Sequence, residues 1–306
     1  MKAFLIAVLI LALPPLVQAQ NDPLYAQYLN NPLLINPAYA GFNKTFNLST
    51  AFRKQWAGFD GSPATLALTA HSSLLDNKMG TGLIISQDRI GENTNTFIQA
   101  VYSYKINLSS SLQLSFGLQG GLISYRSDNS RLNPYDPTDP LFSGTQITIK
   151  PSMGSGVILR GDKFFAGLSV PRMLRVKTDF ENTVGTGEVD LYTQHFYAFF
   201  SYVFLINERL RFKPATLLRA VPGAPLSADL NALFTIDNKY TGGVFTRNTN
   251  TFGFLIQATF SQFRFGYTFE IPTNKSVGTH FTTHDLTLGI NIGLFRFHDT
   301  LQLSDY

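Results

Sequence analysis

Five histidines, His71, His195, His280, His284 and His298, come first, because imidazole serves as general base, metal ligand or proton shuttle. His280-x-x-x-His284 has the spacing that places two metal ligands on one helical face, but its surroundings read as a loop entering a strand, where that spacing brings nothing together. His71-Ser72-Ser73 sets a hydroxyl beside an imidazole in sequence. Neighbours on a strand face opposite sides, so this is not a Ser-His couple. Asp128, Asp136 and Asp139 lie close together in the stretch Arg126–Ile147. Such carboxylates can coordinate calcium, yet the spacing matches no EF-hand loop and lacks its final Glu, so the stretch reads as a solvated, turn-rich loop. No phosphate loop, dinucleotide fingerprint or acid pair stands out. With no cysteine, a thiolate metal site, a cysteine nucleophile, a disulfide framework and a lipoprotein anchor are all excluded. The expectation is a protein that is not an enzyme, with no catalytic residue, no cofactor and no metal.

The elements that would carry any site are strands. Only 14% of the residues are charged, below the ~25% of soluble domains, while 13% are aromatic, including 27 Phe and 13 Tyr. No mature segment approaches the ~20 apolar residues of a membrane-spanning helix. Period-two runs recur instead. Leu112, Leu114, Phe116 and Leu118 alternate with Gln113, Ser115, Gly117 and Gln119. Leu286, Leu288, Ile290 and Ile292 alternate with Thr287, Gly289 and Asn291. Phe263, Phe265, Tyr267 and Phe269 alternate with Arg264, Gly266, Thr268 and Glu270. Phe252, Phe254, Ile256 and Ala258 do the same, with Leu255 the exception on the polar side. One apolar face and one Gly-, Gln-, Ser- and Arg-bearing face suit a wall between lipid and a hydrated lumen better than a soluble sandwich.

Fourteen strands are expected, near 44–56, 64–74, 79–88, 95–108, 111–125, 148–160, 163–170, 191–206, 208–219, 224–236, 239–247, 251–260, 262–271 and 283–297. Connections after even strands are tight, and those after odd strands are mostly long. The longest are 126–147 and 171–190, the latter read as an exposed loop of mixed charge. A sandwich has no reason to sort loops by parity, whereas an outer-membrane barrel has short periplasmic turns and long outer loops. The fold class is therefore all-β: a membrane-spanning antiparallel up-and-down barrel with both termini in the periplasm. Tyr102, Tyr104, Tyr125, Tyr192, Tyr197, Tyr202, Tyr240 and Tyr267, near strand ends, are expected in interfacial girdles.

Residues 1–19 read as a cleavable signal peptide: Lys2, an apolar stretch from Ala3 to Leu13, then Val17-Gln18-Ala19. Residues 20–43 do not alternate. Pro23, Pro32 and Pro37 each follow Asp or Asn, a turn-starting pair, and Asp22 is placed to cap helical turns beginning at Pro23. The apolar content is too high for a free tail, so an ordered plug or strap in the periplasm or lumen is expected, ahead of the barrel at 44–306. The formal net charge of +4 is scattered along the chain, which argues against a nucleic-acid partner.

Asp22 to Gly41, D-P-L-Y-A-Q-Y-L-N-N-P-L-L-I-N-P-A-Y-A-G, resembles the opening signature of the PorP/SprF family of type IX secretion system membrane proteins. R-K-Q-W-A-G-F-D-G-S-P from Arg53 to Pro63 is similar to that family's R-x-Q-W block. Gly82–Gly91, Phe164–Pro171 and the F-R-F-G-Y-T-F-E and T-H-D-L-T-L runs resemble later blocks. Phe269-Glu270, Thr283 and Asp285 stand where Tyr-Asp, Ser and Glu are more usual. The resemblance implies a non-enzymatic role at the cell outer membrane, in secretion and surface attachment of cargo such as gliding adhesins through their C-terminal domains. The implied partners are that cargo, other secretion components and outer-membrane lipid. Residues expected to contact a partner or form the plug are Asp22, Pro23, Tyr28, Asn36, Pro37, Tyr39, Gly41, Arg53, Trp56, Gly58, Asp88 and Arg89. Gly58, Gly61 and Pro63 would form a tight outer loop beyond Trp56, in reach of the loop after Asp88-Arg89, and Arg53 would pair with Asp88. A channel or transporter for small or hydrophobic solutes is the alternative.

Overall fold

The computed structural model describes residues 26–131, 144–182, 185–273 and 281–295. Its strands are β1 (Phe46–Lys54), β2 (Ala64–Leu74), β3 (Met79–Ile90), β4 (Asn93–Asn107), β5 (Gln113–Asp128), β6 (Thr145–Arg160), β7 (Phe164–Val170), β8 (Val176–Asn182), β9 (Gly185–Tyr192), β10 (Phe196–Tyr202), β11 (Phe204–Leu205), β12 (Leu210–Ala220), β13 (Ser227–Ile236), β14 (Tyr240–Arg247), β15 (Thr251–Phe260), β16 (Phe263–Pro272) and β17 (Thr283–Ile292). All pairings are antiparallel: β1 to β7 pair in chain order, β7 then pairs with β10, and β12 to β17 again pair in chain order. β1 also pairs with β17, and β10 with β12, so the sheet closes on itself as a fourteen-strand barrel. Closure leaves no open edge around the bilayer-spanning wall, as hydrocarbon requires.

β10 and β11 are two parts of one crossing, interrupted at Val203. The cause lies on the facing strand. Pro214 of β12 has no N–H to give, and it falls between the β10 pairing, which ends at Ser201↔Ala215, and the β11 pairing, which starts at Phe204↔Phe212. β8 and β9 pair only with each other. The segment expected as an exposed loop at 171–190 therefore holds a hairpin.

Tight connections use left-handed backbone where the sequence supplies Asp and Asn. Leu75, Asp76 and Asn77 have φ of 48, 53 and 66°, and Asp237 and Asn238 have 51 and 55°. Two successive positive-φ residues match the primed hairpin turn that suits strand twist.

Burial alternates along the strands. Phe52, Leu66, Leu68, Ile98, Phe116, Leu118, Phe254 and Leu286 face outward and are exposed, while Ser49, Thr69, Gln99, Gln119, Thr268 and Thr287 face inward and are buried. Tyr102, Tyr104 and Tyr240 are among the exposed outer side chains. Tyr125, Tyr192 and Tyr197 are not in a girdle: they are buried inside, Tyr125 beside Phe97 and Ile123. Among the described residues no helix is long and apolar enough to cross a membrane; the chain crosses with strands.

Candidate functional site

The inner faces of these strands enclose the chain's own N-terminal stretch. Three short 3-10 turns, Ala26–Leu29, Pro32–Leu34 and Pro37–Tyr39, precede β1. Asn31-Pro32 and Asn36-Pro37 each start one, because proline fixes φ and has no N–H to leave unpaired at the first position. Asn36 does two jobs. Its side-chain oxygen accepts from Ala38 N at 2.9 Å, and its Nδ2 donates to the carbonyls of Val157 and Leu168, both at 3.2 Å, on β6 and β7.

The rest of the stretch is tied to the wall in the same way. Asn31 Nδ2 donates to Thr69 of β2 at 2.7 Å, and Asn231 of β13 donates to the Tyr28 hydroxyl at 2.7 Å. Ser169, Ser115 and Ser103 donate to the carbonyls of Ile35, Ala38 and Ala40 at 2.6, 2.7 and 2.7 Å. Lys105 donates to Gly41 O, and Gly41 N donates to His71 Nδ1 at 3.1 Å. Serines on the polar phase of three different strands thus satisfy a backbone that has no sheet partner of its own.

Apolar packing completes the contact. Leu33, Ala38, Tyr39, Ala40 and Phe42 pack with Ile84, Val101, Ile158 and Phe165. Tyr28, Leu29 and Ile35 pack with Leu217, Leu233 and Leu255. Leu255, the apolar residue on the polar phase of β15, is 1% exposed because this stretch covers it. Each such side chain fully buried is worth about 1.5–3 kcal/mol. Beside Tyr28, Ile35, Asn36, Phe165 and Phe199 the space left is about 10 Å³, room for at most one water.

Glycine makes the approach possible. A Cβ at Gly117 would overlap the backbone of Pro37-Ala38, one at Gly156 the Asn36 side chain, and one at Gly80 the Ala40 carbonyl. Gly41 itself has φ +64°, and a Cβ there would sit 2.8 Å from Ser72 O, so both conformation and space demand glycine.

A second group of residues lies higher, towards the long loops. Arg53 of β1 donates to Glu270 of β16 at 3.1 and 2.8 Å and to Asp285 of β17 at 2.8 Å. Arg247 of β14 holds Asp229 of β13 with contacts of 2.9–3.1 Å and lies 3.7 Å from Glu270. All five are buried. The expected Arg53–Asp88 pair does not form. Thr65 stands between them, facing Arg53 on one side and Asp88 on the other, and Asp88 accepts from Thr65 Oγ1 at 2.6 Å. Two strand spacings, about 10 Å, separate the charges.

Above this network the two expected loops meet. Gly91 N donates to Gly61 O at 2.9 Å, Arg89 Nε to Gly91 O at 3.3 Å, Ala57 N to Thr282 O at 2.8 Å and Lys54 to Ser62 O at 2.9 Å. The Phe59 ring meets Phe281 edge-on. Trp56 and Gly58 take left-handed backbone, with φ of 52 and 93°.

Of the residues expected at a site, Tyr28, Asn36, Pro37, Tyr39 and Gly41 are brought together in the lumen. Trp56, Gly58 and Arg89 sit at the rim, and Arg53 and Asp88 line the wall between. Asp22 and Pro23 lie outside the described residues, as do Asp136, Asp139, His280 and His298. His284 bonds the Tyr267 hydroxyl and Thr282, and His195 stacks between Tyr192 and Tyr197. Among the described residues no group of three or more His, Asp or Glu could hold a metal ion. The sequence reading missed Glu270, Asp285, Arg247 and Asp229 as one unit. Their signal is a charge on the inward phase near the long-loop end of each of four consecutive or alternate strands.

The family described as "Type IX secretion system membrane protein PorP/SprF" matches residues 17–290. No curated protein sequence matches the chain. Among solved structures, a Pseudomonas aeruginosa FadL homologue is similar at 11% identity and TM-score 0.49, over 93% of this chain and 97% of that one. The Pseudomonas putida toluene transporter TodX is similar at 10% identity and TM-score 0.49, over 86% and 92%. The NanC porin is similar at 10% identity and TM-score 0.41, over 81% and 100%. These likenesses are in barrel architecture and carry no ligand across.

Proposed function

From the premise that this chain belongs to the PorP/SprF family of type IX secretion system membrane proteins, an integral outer-membrane barrel, we propose that it is a non-enzymatic platform that holds a secreted cargo protein at the cell surface, engaging the cargo's C-terminal domain and the secretion machinery. The observation that carries this reading is the bore, crossed by Tyr28 to Asn43 and tied to β2, β4, β5, β6, β7 and β13. A path for solutes would have to dismantle those contacts. The rim formed by residues 55–63, 89–92 and 281–283 is cross-bonded and rigid, which suits a docking surface carried on a firm scaffold.

Deleting the gene should abolish surface display of a particular cargo while uptake of small solutes stays unchanged. Cargo displayed as before would refute the proposal. A large, stable conductance from the purified protein in planar bilayers would favour the channel reading instead.

A further inference from the structure

β6 is longer than the strand beside it. Its ladder with β5 runs the full length from Arg160 to Thr145, whereas its ladder with β7 stops at Ser155↔Val170. There β7 ends and the chain turns inward. The Pro171 carbonyl accepts from Gln119 on the inner wall at 2.7 Å, and Met173 N donates back to Met153 O at 2.7 Å. Beyond that point, among the described residues, no strand pairs with Thr145–Ser152 on the side away from β5.

The height of this edge follows from the outward side chains of β5. Leu114, Phe116, Leu118 and Leu122 are apolar, then Ser124 and Arg126 are polar. The distance from Leu114 to Leu122 is about 27 Å along the strand and about 21 Å along the membrane normal at ~40° tilt, close to the ~25 Å apolar band of such barrels. On β6 the band closes at Pro151, which faces Leu122. Ile149 and Ile147 stand opposite Ser124 and Arg126, above the band, each 61% exposed. The segment T-Q-I-T-I-K, Thr145 to Lys150, is thus a β-branched, alternating edge in water, half of whose backbone donors and acceptors have no partner among the described residues. Proteins rarely leave such an edge bare, because it templates another strand. Pro151, which has no N–H to offer, ends it below.

We infer that the edge Thr145–Lys150 of β6 is a strand-addition site for an extended segment of the secreted partner. The segment's chemistry is set by the edge. It is a strand about six residues long, a typical strand length. Apolar residues alternate to stack beside Ile147 and Ile149, and an acidic or amide residue lies across from Lys150 on the mouth-facing side. Main-chain hydrogen bonds supply affinity and the two isoleucines supply register. This inference rests on the cargo-holding reading above.

The test uses the full chain in its native outer membrane, with a benzophenone amino acid as photo-crosslinking probe in place of Ile149, and in place of Leu118 as a lipid-facing control. The expected result is an adduct at Ile149, and not at Leu118, with one secreted polypeptide, mapped by mass spectrometry to an alternating extended segment. Adding the charges of Ile147→Lys and Thr145→Lys to that chain should cut the adduct by about tenfold or more, about 1.4 kcal/mol, while heat-modifiable mobility shows the barrel still folded. An adduct with a second copy of this chain, with residues 176–192 of the same chain, or with lipid alone would overturn the inference. So would no adduct in cells that still display cargo, and that result would leave the platform reading intact. Unchanged cargo display in cells lacking the protein would refute the platform reading itself.

Discussion

Replacing Arg53 by methionine removes the cation that, among the described residues, touches both Glu270 and Asp285. The guanidinium makes three contacts of 2.8–3.1 Å with them, and all three side chains are about 5% exposed or less. After Arg53→Met, among the described residues, Glu270 keeps Arg247 at 3.7 Å and Asp285 is left with no ionic partner. Stranding buried charge in this way costs about 3–5 kcal/mol, against the ~0–1 kcal/mol of an exposed pair. With a urea slope of ~2 kcal/mol per molar, the unfolding midpoint should fall by about 2 M. The probe is built in: Trp56, the single tryptophan, lies three residues beyond Arg53, so its emission follows this end of the barrel in detergent–lipid micelles. The triple variant Arg53→Met, Glu270→Gln, Asp285→Asn removes the stranded charges and should regain most of the loss, since Arg247 keeps Asp229. A single-variant loss under ~1 kcal/mol, or a triple variant no better than the single, would refute a buried, mutually dependent network.

Other outcomes follow from the same contacts. Gly117→Val with Gly156→Val should push Asn36–Ala38 off the wall and raise single-channel conductance in planar bilayers, and an unchanged, silent trace would count against a lumen held shut by that stretch. Because the chain has no cysteine, Phe59→Cys, at a site 55% exposed, should react with an impermeant maleimide in intact cells, while Leu33→Cys, at a fully buried site, should not; protection of Phe59→Cys would invert the assigned orientation. Hydrogen bonds from Arg209 hold the Asp237 carboxyl below its usual range. Its contribution is complete at neutral pH and is lost only as pH falls through that lowered value. Arg209 is exposed and Asp237 partly so, and solvent screens the pair, so Arg209→Ala should move the carboxyl titration up, read by carbon NMR, and lower the unfolding midpoint at neutral pH only slightly.

The strands were legible because lipid on one side and a polar bore on the other force a period of two. The run Leu114–Leu118 and the closing run Leu286–Ile292 needed no other information. What the alternation could not give was content across the bore. Leu255 breaks the rule on β15, and only the contact with Tyr28, Leu29 and Ile35 explains it. Arg53 was visible as an inward charge, yet its partners sit 217 and 232 residues away, a pairing set by the β1–β17 closure and not by any local pattern. The β8–β9 hairpin was missed although Lys177, Asp179 and Glu181 alternate with Val176, Thr178 and Phe180 in sequence, because its charge density reads as loop.

A hollow cylinder under load fails by flattening. Here the stretch from Tyr28 to Gly41 reaches β13 at one end, β2 and the β6–β7 wall in its middle and β4 at the other, like spokes fixed to the inside of a hoop. Each spoke resists a change in one diameter, so the circumference cannot oval without breaking several hydrogen bonds at once. A pull on the surface loops therefore passes into the braces and is shared by opposite sides of the wall, and the ring keeps its shape while it bears the strain.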